Sequence, residues 1–184
     1  MRLEYYFALV ATLWLTTVYA ASEKFGLKLT GPNELKGMMI YEDGSSLFIG
    51  KHSGDIIEGT IQEDGSLKLG TGEFIGINKN YLTLTTNYTQ YATPFAINGD
   101  GYLTLYGEKE FKAIPSGQTD IWILASNNAV STLDSVHTTK VKCVDSDGKK
   151  VNKFTVNGSS ASKLLNKTEL LAVLFFSFSA YVLF

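Results

Sequence analysis

Two short stretches with the same alternation decide the fold class: YLTLT at 81–85 and YLTLY at 102–106. In each, leucine alternates with threonine or tyrosine, so an extended chain has one apolar and one more polar face. Aromatic and β-branched residues favour strands. The continuous apolar run IWIL at 121–124 predicts a central strand buried on both faces. Between 21 and 157, no stretch of a dozen residues has the 3.6-residue period of an amphipathic helix.

Asx-Gly dipeptides separate the predicted strands and supply the positive φ that tight hairpins need. About ten strands with such turns predict one all-β antiparallel domain, either a β-sandwich or a small barrel. We place this domain at 21–145 and read 146–157 as a short polar linker. The turn dipeptides are Asp43-Gly44, Asp64-Gly65, Asn98-Gly99, Asp100-Gly101 and Asp147-Gly148.

The chain of 184 residues has a polar middle between two apolar ends. Residues 1–20 contain 15 hydrophobic residues and residues 158–184 contain 16, whereas 21–157 contain 51 of 137. The regular apolar alternation of the middle excludes a disordered chain. A protein with several membrane-spanning helices is excluded as well, because the middle has no run of about 20 apolar residues.

The first 20 residues are typical of a signal peptide. Arg2 provides a positive charge, an apolar stretch follows, and Val18-Tyr19-Ala20 presents small residues at −3 and −1. This pattern predicts cleavage after Ala20.

The last segment is typical of a glycosylphosphatidylinositol (GPI) signal. Small residues at 157–160 precede a polar spacer and then an uncharged stretch of 15 residues, LLAVLFFSFSAYVLF at 170–184. That stretch is shorter than the ~20 residues of a spanning helix, and the order of the three parts matches GPI attachment. We predict attachment at Asn157, with Gly158 as the alternative, and removal of the propeptide 158–184.

Between the two processing sites the chain has 13 lysines and 16 acidic residues, a net charge of −3. Because no basic face stands out, we do not expect nucleic acid as a partner. Cys143, the one cysteine, is expected as a buried strand thiol, with an intermolecular disulfide or a reactive thiol as the alternatives. His52 and His137 together with one cysteine do not make a zinc site, and we expect no metal and no cofactor.

Three sequons occur, at Asn87, Asn157 and Asn166. Asn166 lies in the predicted propeptide, and glycosylation of Asn157 conflicts with its use for the lipid. Asn87 is therefore the predicted N-glycosylation site. It lies in a threonine-rich stretch with Thr83, Thr85, Thr86 and Thr89.

Several side chains could carry chemistry, but each also has an ordinary structural role. Two facing carboxylates could cleave a glycosidic bond, yet most acidic residues here occupy turn positions. The Asp145-Ser-Asp147-Gly148 segment resembles only the start of a calcium loop. Aromatic rings could stack on sugars, although in strands they more often belong to the core or pair across the sheet. The acidic candidates are Glu42, Asp43, Glu58, Glu63, Asp64 and Asp100, and the aromatic ones are Tyr81, Tyr88, Tyr91, Tyr102, Tyr106 and Trp122.

In layout the chain resembles yeast cell-surface GPI mannoproteins of the Candida type. The resemblance rests on the strand beginning Phe25-Gly-Leu27, the glycine-ended strand Leu47-Phe-Ile-Gly50, the late cysteine and the two terminal signals. It implies a non-enzymatic structural or adhesion-modulating role at the plasma membrane or cell wall, with cell-wall polysaccharide as a partner. Lys149-Lys150, by the same resemblance, favours retention in the outer leaflet of the membrane. The alternative is a surface carbohydrate-active protein, either a sugar-binding module or a glycosidase.

Overall fold

The computed structural model describes residues 21–132 and 135–156, and it confirms an all-β antiparallel domain. The predicted cleavage after Ala20 and both candidate attachment sites, Asn157 and Gly158, lie outside the described residues. Two short 3-10 turns, Asn33–Leu35 and Tyr88–Gln90, are the helical segments of the described part. Its strands are β1 (Phe25–Thr30), β2 (Met39–Asp43), β3 (Ser46–Gly50), β4 (Glu58–Ile61), β5 (Leu67–Leu69), β6 (Phe74–Asn78), β7 (Tyr81–Thr85), β8 (Phe95–Ile97), β9 (Leu103–Leu105), β10 (Glu110–Pro115), β11 (Trp122–Ser126) and β12 (His137–Val144).

Eight strands pair into a closed ring in the order β1, β4, β5, β6, β7, β11, β10, β12 and back to β1. All eight pairings are antiparallel, so the domain has the connectivity of a small barrel. One of the pairings that close it joins β1 to β12 through five residue pairs, with Leu27 opposite Cys143. An eight-stranded ring has an interior that side chains can just fill.

Two hairpins complete the domain. The β2–β3 hairpin joins the ring where β7 and β11 diverge: Phe48 pairs with Ile123 of β11, and Ser46 pairs with Thr83 of β7. The β8–β9 hairpin forms a separate two-stranded sheet beside β12, where Cys143 N donates to Gly101 O at 2.8 Å. Both hairpins contribute buried side chains to the same core as the ring.

The core follows the alternation of the strands. Phe25 and Leu27 of β1 are buried, and Leu82 of β7 is buried between the half-buried Tyr81 and Thr83. A smaller cluster on the opposite face of β10 and β11 contains Ile114, Ala125 and Ala129, packed with partly buried Tyr81 and Val136. The largest fully buried side chains of the main core include Phe25, Phe95, Phe111, Ile40, Ile49, Ile61 and Ile75.

The segment predicted as a linker, 146–157, packs on the domain as far as the structure describes it. Val151 is buried, and Phe154 forms a bridge with Ile97 of β8 through N–O distances of 2.7 and 3.0 Å. Val156 packs against the core as well. The folded body therefore extends to Val156, because three apolar side chains among the polar ones find partners on the β8–β9 hairpin and the core.

Gly76 of β6 allows another segment to lie directly on the outer face of the ring. It forms a bridge with Tyr91, which follows the 3-10 turn Tyr88–Gln90, hereafter the sequon turn. A Cβ at position 76 would lie 2.8 Å from the backbone O of Gln90 and 2.8 Å from Cγ2 of Thr85. Only a residue without a side chain leaves that space.

We expect Gly76→Ala to lower the free energy of unfolding by about 1–3 kcal/mol, because the new methyl group overpacks this contact. Urea unfolding followed by circular dichroism measures the change. Gly99→Ala is the matched control, since Gly99 has open space around its Cα and no left-handed φ. Equal stabilities of the two variants would contradict the close packing of the sequon turn.

Candidate functional site

The Asn87 sequon lies in an exposed position on the sequon turn. Asn87 is the N-cap of the turn, and its Oδ1 accepts hydrogen bonds from Thr89 N at 3.1 Å and from Thr89 Oγ1 at 2.9 Å. The backbone N of Asn87 donates in turn to Thr85 Oγ1 at 3.1 Å. Both bonds to the side chain use the amide oxygen, so the amide nitrogen, to which a glycan is attached, stays outside this network. Tyr88, the middle residue of the sequon, is 79% exposed.

The sequon turn is held to the ring by an aromatic stack. Tyr91 lies on the ring of Phe74 with the centroids 4.2 Å apart and the planes 14° from parallel. Lys68 Nζ lies 5.7 Å from the centroid of the same phenylalanine ring, within the range of a cation–π contact. Thr85 Oγ1 donates to Gln90 Oε1 at 3.0 Å. These contacts fix the turn that presents Asn87.

Beside the sequon turn, a cleft of about 550 Å³ lies where β3 meets β7. The sequon turn contributes Gln90 to its wall, Ser45 comes from the β2–β3 turn, and Ser46 is the first residue of β3. The main-chain bond from Leu84 N to Ser45 O, 2.9 Å long, holds the two strands together here. The β6–β7 hairpin and β11 supply the remaining lining, which includes Asn78, Lys79, Tyr81, Thr83 and Ile123.

The acidic candidates lie on three hairpins, β2–β3, β4–β5 and β8–β9, and three of them have a polar side-chain partner. Glu58 forms an ion pair with Lys24, and Asp64 Oδ1 accepts from Ser66 N at 2.9 Å and Ser66 Oγ at 2.6 Å. Glu42 accepts from Thr71 Oγ1 at 3.3 Å. Asp43, Glu63 and Asp100 lie at or beside three separate hairpin turns.

The calcium-like segment forms a turn. Asp145 Oδ1 accepts from Asp147 N at 2.9 Å and from Lys149 N at 2.8 Å, and Asp147 contacts Lys149 Nζ at 3.2 Å. These are the bonds of an Asx turn. Within 21–132 and 135–156, no three His, Cys, Asp or Glu side chains come together as a metal-binding group.

The aromatic candidates are dispersed. Tyr106 lies 48% exposed in a turn with φ of 56°, Tyr102 forms a bridge with Lys142, and Trp122 packs against the main core. Only Tyr81 lines the cleft. A stack that the sequence did not indicate joins Tyr41 to His52, with centroids 4.9 Å apart. Burial and, second, the Asp43 carboxylate raise the pKa of Tyr41.

Cys143 is a fully buried thiol on β12. Its exposed fraction is 0%, and it lies in the main core opposite Leu27. Burial raises its pKa from 9.0 to about 12. A thiolate is the reactive form of cysteine, so the folded domain offers neither a nucleophile nor a partner for an intermolecular disulfide at this position.

No protein-family model, no curated protein and no solved structure matches this chain. Among the described residues, no helix is both long and apolar enough to span a membrane.

The Asn87 site is recognisable from a tripeptide in the sequence. No local sequence pattern indicates the cleft. Ser46 and Thr83 are adjacent because β3 pairs with β7, and Gln90 reaches them through the contacts of the sequon turn with β6 and β7. Residues from five elements form this site, and sequence spacing does not reveal their proximity.

Replacing Asn87 by glutamine should remove a glycan detectable by peptide-N-glycosidase digestion and gel mobility, because glutamine is not an acceptor. Thr89→Ala should have the same effect, since it removes the hydroxyl of the sequon. Thr89→Ser is the control that keeps the sequon and the glycan. An unchanged digestion pattern in Asn87→Gln would contradict this site.

The buried thiol predicts a specific loss of stability at high pH. At pH 8 and below both the folded and the unfolded thiol largely keep the proton, so this group gives little pH dependence. Between pH 9 and 12 the unfolded thiol ionises and the folded one does not, which lowers the free energy of unfolding by up to ~1.4 kcal/mol per pH unit. Chemical unfolding at pH 8 and 10.5 measures the change.

Cys143→Ala is the matched control for this pH series. It carries a constant packing cost at every pH, and the two proteins differ in no other ionisable group. The difference in stability between the two proteins should therefore shift by about 2 kcal/mol in favour of the variant from pH 8 to pH 10.5. A difference independent of pH would show that the thiol is not protected by burial.

Proposed function

We propose that this chain is a non-enzymatic glycoprotein of the fungal cell surface, held in the outer leaflet of the plasma membrane by a GPI lipid. Its role in this proposal is structural or adhesion-modulating. One observation carries the proposal: a signal-peptide pattern at 1–20 and a GPI-signal pattern at 157–184 flank a single folded β domain. Each terminal signal requires the secretory pathway, so each supports the other.

The positions of the two ends of the described chain fit this proposal. Ser22 N donates to Ile61 O at 2.8 Å, and Ile61 N donates to Ser22 Oγ at 2.9 Å. Val156 lies against Gly65, in the turn that joins β4 to β5. The described chain therefore begins and ends beside the same hairpin, β4–β5. A lipid attached at Asn157 or Gly158 would hold that end of the domain close to the bilayer.

The non-enzymatic part of the proposal is supported by the placement of the acidic side chains. A glycosidase needs two carboxyl groups about 5–10 Å apart on either side of the scissile bond. Here Glu58 is paired with Lys24 and Asp64 is bonded within its own turn. The exposed sequon at Asn87 supports the glycoprotein part.

Treatment of intact expressing cells with phosphatidylinositol-specific phospholipase C should release the protein. Mass spectrometry of its last peptide should find a glycolipid remnant on Asn157 or Gly158, which also decides between the two sites. Recovery of a peptide that retains 170–184 would overturn the anchor.

A pair of tail variants sharpens this test. Leu174→Asp places a charge in the apolar tail and should abolish lipid attachment, because the signal depends on an uncharged stretch. Leu174→Ile keeps the stretch apolar and should be released by the phospholipase like the unsubstituted protein. Equal release of both variants would contradict recognition of the tail.

A further inference from the structure

The cleft beside the sequon turn is lined mainly by neutral hydrogen-bonding side chains. Hydroxyls come from Ser45, Ser46 and Thr83, and carboxamides come from Asn78 and Gln90. Its volume of about 550 Å³ lies within the range of small-molecule sites. The space is therefore large enough for a short oligomeric ligand.

Most of these polar groups have no partner in the described part of the protein. The side chains of Ser46, Asn78 and Thr83 make no hydrogen bond to another described residue, whereas Gln90 uses only its Oε1, as acceptor from Thr85. Hydroxyl and carboxamide groups both donate and accept hydrogen bonds. The cleft thus presents a mixed set of donors and acceptors that a ligand can use.

The same cleft has an apolar part and little charge. Tyr81, Ile123 and Leu84 are half-buried and line it. Lys79, at the exposed β6–β7 turn, is the one charged side chain among the described lining residues, and none of them carries a carboxylate. An ionic ligand would find no ion-pair partner for a positive group and only one solvated partner for a negative group.

We propose that this cleft binds a neutral saccharide. The hydroxyls of a sugar both donate and accept hydrogen bonds, which suits the serine, threonine and carboxamide groups. The C–H face of a pyranose ring is apolar and packs on Tyr81 and Ile123 in the way sugars pack on aromatic rings. With no carboxylate in the described lining, the cleft holds the sugar without cleaving it.

This site goes beyond the proposed function and does not depend on it. The ligand is held by residues of β3, β6, β7, β11 and the sequon turn, all of which belong to the folded domain. A protein that carried no lipid would bind the sugar with the same affinity.

The test uses the purified full chain in detergent micelles and isothermal titration calorimetry. The probes are laminarihexaose and mannohexaose as neutral hexose oligomers, and a hexaguluronate of the same length as the charged comparison. We expect at least one neutral oligomer to bind, and we expect the affinity for the uronate to be at least tenfold lower. No binding of either neutral oligomer, or equal binding of the uronate, would overturn the proposal.

Variants locate the site. Ser46→Ala combined with Thr83→Val removes two hydroxyls with little change of shape and should weaken binding about tenfold or more. Gln90→Ala, at an exposed position of the turn, should also weaken it. Thr138→Val on the exposed face of β12 is the control and should bind within twofold of the unsubstituted protein. Unchanged affinity in both cleft variants, with thermal unfolding showing an intact fold, would place the binding elsewhere and overturn the proposal.

Discussion

The closure of eight antiparallel strands into a ring is the constraint on which the rest of this structure depends. Closure pairs the edges of the ring strands, which would otherwise expose unpaired backbone groups. It requires the pairing of β1 with β12, whose residues are separated by most of the domain, and that pairing places Cys143 opposite Leu27 in the core. The burial of the thiol and its raised pKa are consequences of the ring.

Local features of the sequence predicted the strands but not their partners. The alternation at 81–85 became β7, and the IWIL run became most of β11, which pairs on both edges. The stretch 102–106 gave a shorter strand, because Tyr106 adopts φ of 56° in the turn that pairs Leu105 with Glu108. The two-residue turn Lys79-Asn80, with two positive φ angles, lacks glycine and was not anticipated. Ring closure depends on long-range strand pairing. Apolar alternation does not determine that pairing, so it fits a sandwich and a barrel equally.

The same distinction separates the parts of the candidate site. A sequon is a local tripeptide, and the exposed turn at Asn87 is formed by Asn87, Thr89 and Thr85 within a few residues. The cleft is assembled from β3, the β6–β7 hairpin, β11 and the sequon turn. Tyr81 was a candidate for sugar stacking on its residue type alone. The sequence does not indicate its neighbours Ser46 and Gln90 as cleft residues, because only tertiary contacts bring them to Tyr81.

Gly76 connects the fold to both surface features. Because it has no side chain, the backbone of the sequon turn rests directly on β6, and Gln90 is brought to the edge of the cleft. The same contact fixes Asn87, three residues earlier on this turn. A glycan on Asn87 and a saccharide in the cleft would therefore be neighbours. Any change that lifts the turn from β6 would alter the presentation of the glycan and the shape of the cleft together.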